Sequence, residues 1–414
     1  MSPIQKRSWD EAKKGQYDHL YDFETVVRQN ESSLAYALMP PSVRQAGMVS
    51  FNAAEPLYPT APVIREAVIK MAENGRFGFT IMDRAYQEAV IDWMKNVRNI
   101  KIESDWIVPT LGTIHSVAVA IRLFTKENEN IIVTPPVYNR YEQAAERLNR
   151  GTVHCPLILK NNRYFMDFDA IEKAMARSDT HLFVFCNPHN PTGQIWNREE
   201  LTKLAELSCR YHIYVFSDEI FAENSQKEMS PSYLSIPQAS DHGIVATSLG
   251  KAFGTTGMNH ANMLIPNKAL CEAFSDRRTR EHYGSMDPVA YECLLAAYSP
   301  EGFCWVQASN RVIRQNMDEV RRFFSDRLPD VPVYGGEGGY MLWMDWRNRT
   351  RREADLMSFL NEKAFLDVDA GSHYGAPCFT RMSLACPHHC VTKAMRLLGK
   401  ALDSFCLKDK ETED

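Results

Sequence analysis

The chain has 414 residues, with 47 basic and 52 acidic side chains, a formal net charge of −5, 44% hydrophobic residues and 24% charged ones. That mix supplies ample core and excludes wholesale disorder, and lysines and arginines scattered along the chain leave no electrostatic footprint for nucleic acid. No apolar run approaches the roughly 20 residues of a membrane helix and the first twenty residues lack the apolar stretch of a secretion signal. The ten irregularly spaced cysteines read as reduced core thiols, so a soluble, cytoplasmic globular protein is expected.

Regular patterning begins at residue 62. Pro62 opens a helix with Ile64, Ala67, Val68 and Met71 on one face, closed by Asn74-Gly75. A second helix carries Tyr86, Val90, Trp93, Met94 and Val97. Short continuous apolar runs follow at Ile131–Val133, Leu182–Phe185, Ile213–Phe216 and Ile244–Ala246. Runs without polar alternation suit strands buried on both faces, hence a parallel sheet. Helical stretches such as Asn197–His212 separate them, giving the strand–helix–strand order of an α/β fold. Beyond about residue 300 come a helix over Ser309–Arg327, the strand-like GGYMLWMDW, and a last helix with Val391, Ala394, Met395, Leu398 and Leu402. The expected organisation is an N-terminal arm at 1–60 that joins a smaller α+β C-terminal domain at 301–414. Between them, 61–300 form a large domain with a mostly parallel sheet flanked by helices. Lys408 to Asp414 reads as a charged, frayed tail.

Polar clusters sit where the apolar runs stop. Phe185 is followed by CNPHNPTG, Phe216 by SDEIF and Ala246 by TSLGK. Ligands of open α/β sheets bind beyond the carboxyl ends of the strands, so the three clusters are expected to converge. Lys251, in a small-residue turn at a strand end, is either a solvated lysine or a partly desolvated amine with a lowered pKa, the form that attacks carbonyls. Asp218 suits either a helix cap or the partner of a buried cation. Asn187–Gly193 is rich in turn residues, and its Asn190 offers both a donor and an acceptor. Gly112 and Thr113 stand just before an apolar helical run, Val117–Phe124, which makes them either a plain cap or an anion cradle.

In order and spacing, NPHNPTG, SDEIF about thirty residues on and SLGK about thirty further resemble the fold-type I pyridoxal phosphate (PLP) enzymes, over Val49 to Pro387. The resemblance implies that PLP is the cofactor and that Lys251 is the Schiff-base lysine, which later moves the Cα proton. It implies that Asp218 keeps the pyridine nitrogen protonated, Asn190 bonds the phenolic oxygen and Tyr138 stacks on the ring. Gly112, Thr113 and Ser248 would contact the phosphate. Arg381, in CFTRMSLACP, would clamp the carboxylate of an α-amino acid substrate. It also implies a homodimer with shared active sites.

RMSLACP, NPHNPTG and PPVYNRY are most similar to the cystathionine β-lyase-like branch, whose members cleave carbon–sulfur bonds to thiol, pyruvate and ammonia. An aminotransferase is the alternative, and Ala54-Glu55-Pro56 resembles that branch. A regulatory or interaction protein on this fold is the third reading. The departures are specific. The usual tryptophan is missing from Asn52–Leu57, Phe79 stands for a tyrosine that reaches the partner's phosphate, Phe221 for a tyrosine or histidine, and Asn259, beside His260, for a phosphate-binding arginine. Cys386–Cys390 lacks a second ligand cluster, so no metal is expected. Gly335–Gly339 leads into a strand and reads as a turn rather than a phosphate loop.

Overall fold

The computed structural model describes residues 6–27, 30–281 and 285–404; the charged tail from Lys408 lies outside the described residues. The described residues form thirteen strands. In chain order they are β1 (Ile107–Thr110), β2 (Asn130–Val133), β3 (Gly151–His154), β4 (Ile158–Lys160), β5 (Arg163–Phe165), β6 (Thr180–Cys186) and β7 (Tyr214–Asp218). Then come β8 (Gly243–Thr247), β9 (Ala261–Leu264), β10 (Val333–Gly335), β11 (Met341–Asp345), β12 (Asp369–Ala370) and β13 (Phe379–Ser383). Seven of them form one sheet in the order β1-β9-β8-β7-β6-β2-β3. Within it β3, β2, β6, β7 and β8 run parallel, while β9 is antiparallel to both of its neighbours. A smaller antiparallel sheet has the order β10-β11-β13-β12, and β4 and β5 make a separate hairpin.

Continuous apolar runs arise because both faces of the large sheet are covered. Along β6, Phe183 and Phe185 enter one core cluster while Leu182, Val184 and Cys186 enter another. The same split divides Val215 from Phe216 on β7, and Val245 from Ile244 and Ala246 on β8. Helices Thr113–Phe124 and Arg140–Arg147 supply Val117, Ile121, Tyr141 and Ala145 to the second cluster. With water excluded from both faces, the strands' polar side chains gather at their ends.

Helix limits follow from cap chemistry. Pro62–Asn74 starts on proline and stops at Gly75, whose φ of 68° is left-handed. Arg198–Tyr211 is opened by a capping box between Asn197 and Glu200. The helix anticipated at Ser309–Arg327 runs from Pro300 to Arg327, because Ser299 caps it by accepting from the Gly302 amide. The strand in GGYMLWMDW is buried at all five positions of β11, so its partial alternation marks no solvent face.

Residues 50–57 tie the N-terminal segment to the smaller sheet. The Phe51 amide donates to the Asp367 carbonyl at 2.8 Å, Ser383 N–H to Phe51 O at 2.8 Å, and Leu57 N–H to Ala385 O at 2.8 Å. The two sheets meet through glycine. Gly335–Gly339 connects β10 to β11, and the Gly338 amide donates to the Gly193 carbonyl at 3.0 Å. A Cβ on Gly335, whose φ is +89°, would lie 2.4 Å from the Thr192 oxygen. This turn therefore seats against the loop that carries Asn190 only because Gly335 and Gly338 lack side chains.

Beneath the end of β7 lies a buried charge cluster. Arg98 pairs with Glu219 at 2.5 Å and with Glu223 at 3.6 Å, and the Arg98 and Glu219 side chains are fully inaccessible. Glu219 also accepts from the Tyr233 amide at 2.7 Å and the Ser217 hydroxyl at 3.0 Å. Removing the cation strands two carboxylates in an apolar surround. Arg98→Met is expected to cost about 3–5 kcal/mol, read as a lowered midpoint in urea unfolding; an unchanged midpoint would show that the cluster contributes little.

Candidate active site

Three adjacent parallel strands deliver the polar clusters to one place. β6 ends at Cys186 and leads to Asn190, β7 ends at Asp218, and β8 ends at Thr247 before Ser248 and Lys251. All line a cavity of about 600 Å³, joined by Gly112, Thr113, Tyr138 and Arg381. Gly112, Thr113, Tyr138, Asn190, Asp218, Ser248, Lys251 and Arg381 therefore border the same space, whereas Phe79 does not.

Asp218 is 4% exposed. Its Oδ2 accepts from the Tyr141 hydroxyl at 2.6 Å and its Oδ1 from the Ile220 amide at 3.3 Å. Burial pushes its pKa up to about 6, against the pull of the Tyr141 hydrogen bond, the Ile220 amide and the charge of Lys251. Lys251 lies on the short helix Leu249–Phe253, whose N-terminus is capped by Ser248. Its Nζ donates to the Ala54 carbonyl at 2.8 Å and stands 5.8 Å from the Phe221 ring centroid. Desolvation first, and then the charge of Arg381, lower its pKa to about 8, so a sizeable neutral fraction exists near physiological pH. Phe221 itself is buried edge-on against Tyr340, whose hydroxyl also donates to Ala54 O, at 2.9 Å.

Elsewhere on the cavity wall, helix Thr113–Phe124 begins at Gly112, whose φ is +137° and whose missing Cβ would meet no atom of the described residues within 4 Å. The helix start thus opens onto free space, the arrangement an anion needs. The Ser248 hydroxyl donates to the His260 carbonyl at 2.9 Å and accepts from the Gly250 amide at 3.2 Å. Asn259 is exposed and His260 is buried. Nε2 of His260 meets the Tyr86 hydroxyl at 2.6 Å, and burial lowers its pKa to about 4. The imidazole is therefore neutral, and Asn259 and His260 bring no fixed positive charge to this wall.

Arg381, on β13, is 3% exposed. It donates to Asn190 Oδ1 at 3.1 Å and to the Asn52 carbonyl at 2.5 Å, and pairs with Asp369 at 3.1 Å. Its Nε is buried with no hydrogen-bond partner among the described residues. Tyr141, Asp369 and the Ala54 carbonyl are the participants that sequence reasoning missed. Tyr141 lies in the helix Arg140–Arg147 while Tyr138 precedes it, so no helical period links the two. Asp369 sits directly opposite Arg381 in the β12–β13 register, on a strand of two residues that no periodicity could reveal.

The aminotransferase class I and II family model matches residues 46–398. The chain belongs to that family. Its relatives include cystathionine beta-lyase PatB of Bacillus subtilis, 29% identical over 82% of this chain and 88% of that one. They also include aspartate aminotransferase of Pyrococcus horikoshii, 24% identical over 86% and 91%. Among solved structures, cystalysin from Treponema denticola, with its pyridoxal 5'-phosphate cofactor, superposes with a TM-score of 0.88 at 28% identity, covering 93% of this chain and 99% of that one. The family is PLP-dependent, and the chain is a PLP-dependent enzyme, a carbon–sulfur lyase or an aminotransferase.

The residues present fit that cofactor. An aldehyde needs an amine that can shed its proton, and Lys251 is one; a pyridine nitrogen needs a buried acid, and Asp218 is one. A phosphate needs converging donors, and the open amide end at Gly112 and Thr113 provides them. Because only the neutral amine attacks an aldehyde, covalent capture of PLP by the cofactor-free protein should quicken about tenfold per pH unit below 8 and level off above it. Stopped-flow absorbance across pH 6 to 10 checks this; a rate still climbing at pH 10 would mean an unshifted lysine.

Proposed function

We propose that the protein is a PLP-dependent carbon–sulfur β-lyase acting on cystathionine or another S-substituted cysteine, yielding a thiol, pyruvate and ammonia with uptake of one water. The observation that carries this reading is the placing of a depressed-pKa amine, Lys251, and a buried guanidinium, Arg381, in one cavity with Asp218. Its rim includes the exposed apolar side chains of Leu34 and Leu38, which suit a thioether substituent. Likeness to PatB and cystalysin supports the lyase over the transferase branch.

When bound, PLP supplies the electron sink for a substrate joined to it through the amino nitrogen. Gly112, Thr113 and Ser248 would hold its phosphate, Tyr138 its ring face, Asn190 its phenolic oxygen and Asp218 its ring nitrogen. Arg381 orients the substrate by its α-carboxylate, which meets Nε and the charge that Asp369 now shares. Lys251, once its amine is free and neutral, accepts the Cα proton, and the sulfur departs from Cβ with the bonding pair. Phe221 packs its ring beside the amine, with the centroid 5.8 Å from Nζ.

Purified protein given L-cystathionine with PLP should release pyruvate and thiol through many turnovers without any added keto acid, while the cofactor's visible band persists. Bleaching of that band, reversed by a keto acid, would instead make it an aminotransferase.

The protein is further proposed to act as a homodimer that completes each cavity. Phe79 is 99% exposed, with Phe77 and Ile81 also bare, an apolar cluster that water disfavours and a second copy would cover. Phe79→Asp should shift sedimentation from dimer toward monomer; a wild-type protein that is monomeric and fully active refutes the dimer.

A further inference from the structure

We propose that Tyr141 is a positioning residue for the cofactor: its phenol holds the Asp218 carboxylate in the orientation that meets the ring nitrogen. The inference rests on the assignment of Asp218 to that nitrogen. Among the described residues Asp218 accepts two hydrogen bonds, one short from Tyr141 to Oδ2 and one at the outer limit from Ile220 to Oδ1. Tyr141 is 1% exposed and Asp218 4%, so no water competes for the phenol's proton. Each oxygen thus holds one bond and keeps acceptor capacity for a ligand, and the short bond from Tyr141 fixes the plane in which that capacity points.

The other ionisable groups facing the carboxylate make no hydrogen bond to it. Cys186 lies opposite in the β6–β7 register and accepts the Asn190 amide instead, at 3.2 Å. Lys251 donates to Ala54, and Glu219 is committed to Arg98. Tyr138 meets Tyr141 edge-on, with ring centroids 5.7 Å apart and planes at 90°. Burial and the adjacent carboxylate push the Tyr141 phenol well above its usual pKa, so it remains a donor throughout the working range. The two tyrosines divide the labour. Tyr138 faces the cavity, and Tyr141, three residues on, reaches under it to fix the acid.

Tyr141→Phe keeps the ring in the core and deletes only the hydroxyl. The carboxylate then loses its one short bond, gains freedom to rotate, and favours its neutral form. The consequence must be confined to ligands that possess a ring nitrogen.

The experiment titrates cofactor-free wild-type and Tyr141→Phe protein with PLP and with deazapyridoxal phosphate, in which carbon replaces the ring nitrogen, following intrinsic fluorescence. The expected result is PLP affinity weakened about tenfold or more in the variant, with affinity for the deaza compound unchanged. Equal weakening of both ligands would make Tyr141 a packing residue and overturn the proposal, as would unchanged PLP affinity. A wild-type protein that binds the two ligands equally would remove the assignment of Asp218 to the nitrogen, and this proposal with it. Because each protein serves as its own reference, a general loss of stability cancels from the comparison.

Discussion

The arrangement depends on a sheet whose two faces are both sealed by apolar packing. Phe183 and Val184, neighbours in sequence, point into opposite cores, and the same is true along β7 and β8. A polar side chain in mid-strand would be dehydrated without a partner, so chemistry is expelled to the strand ends. At the end of β7 this expulsion is doubled. Asp218 bonds Tyr141 at the cavity, while Glu219 is drawn to the buried Arg98. One turn of chain therefore presents an acid to a ligand and anchors itself on the next residue.

Electrostatics in the cavity follow from the same dryness. Lys251 and Asp218 are displaced toward each other, to about 8 and about 6, because desolvation penalises charge on either group. Neither shift needs an exotic partner. Arg381 is held in place by oxygens from Asn190, Asn52 and Asp369. The wall around Gly112, Ser248 and His260 differs from this, because burial leaves the His260 imidazole neutral.

Much of this was legible in the chain. The parallel core strands, the capped helices at 62 and 197 and the three strand-end clusters all announced themselves through local patterns: unbroken apolar runs, Asn or Pro at starts, Gly at stops. What escaped had its cause at a distance. Strand β1 and the antiparallel β9 are four residues each and are defined by pairing with each other, which no local period encodes. The helix preceding Ser309 was lost because Cys304, Trp305 and Val306 are buried by contacts from elsewhere, and the cap at Ser299 was not recognised. Asp369 and Tyr141 were invisible as site residues for the same reason. A hydrogen bond across 12 residues of sequence, or across 77, leaves no trace in spacing.

The glycine turn between β10 and β11 carries a mechanical consequence. Gly338 bonds Gly193, Glu337 O accepts from the Gln226 amide at 2.7 Å, and a Cβ at Gly338 would sit 2.3 Å from Pro188. The smaller sheet is thus clasped to the loop that bears Asn190, and Asn190 in turn grips Arg381 on that same sheet. The contacts close a ring: sheet, turn, loop, guanidinium, sheet. Any swing of the smaller sheet over the cavity must carry the Asn190 loop with it, so Arg381 and that loop travel as one jaw.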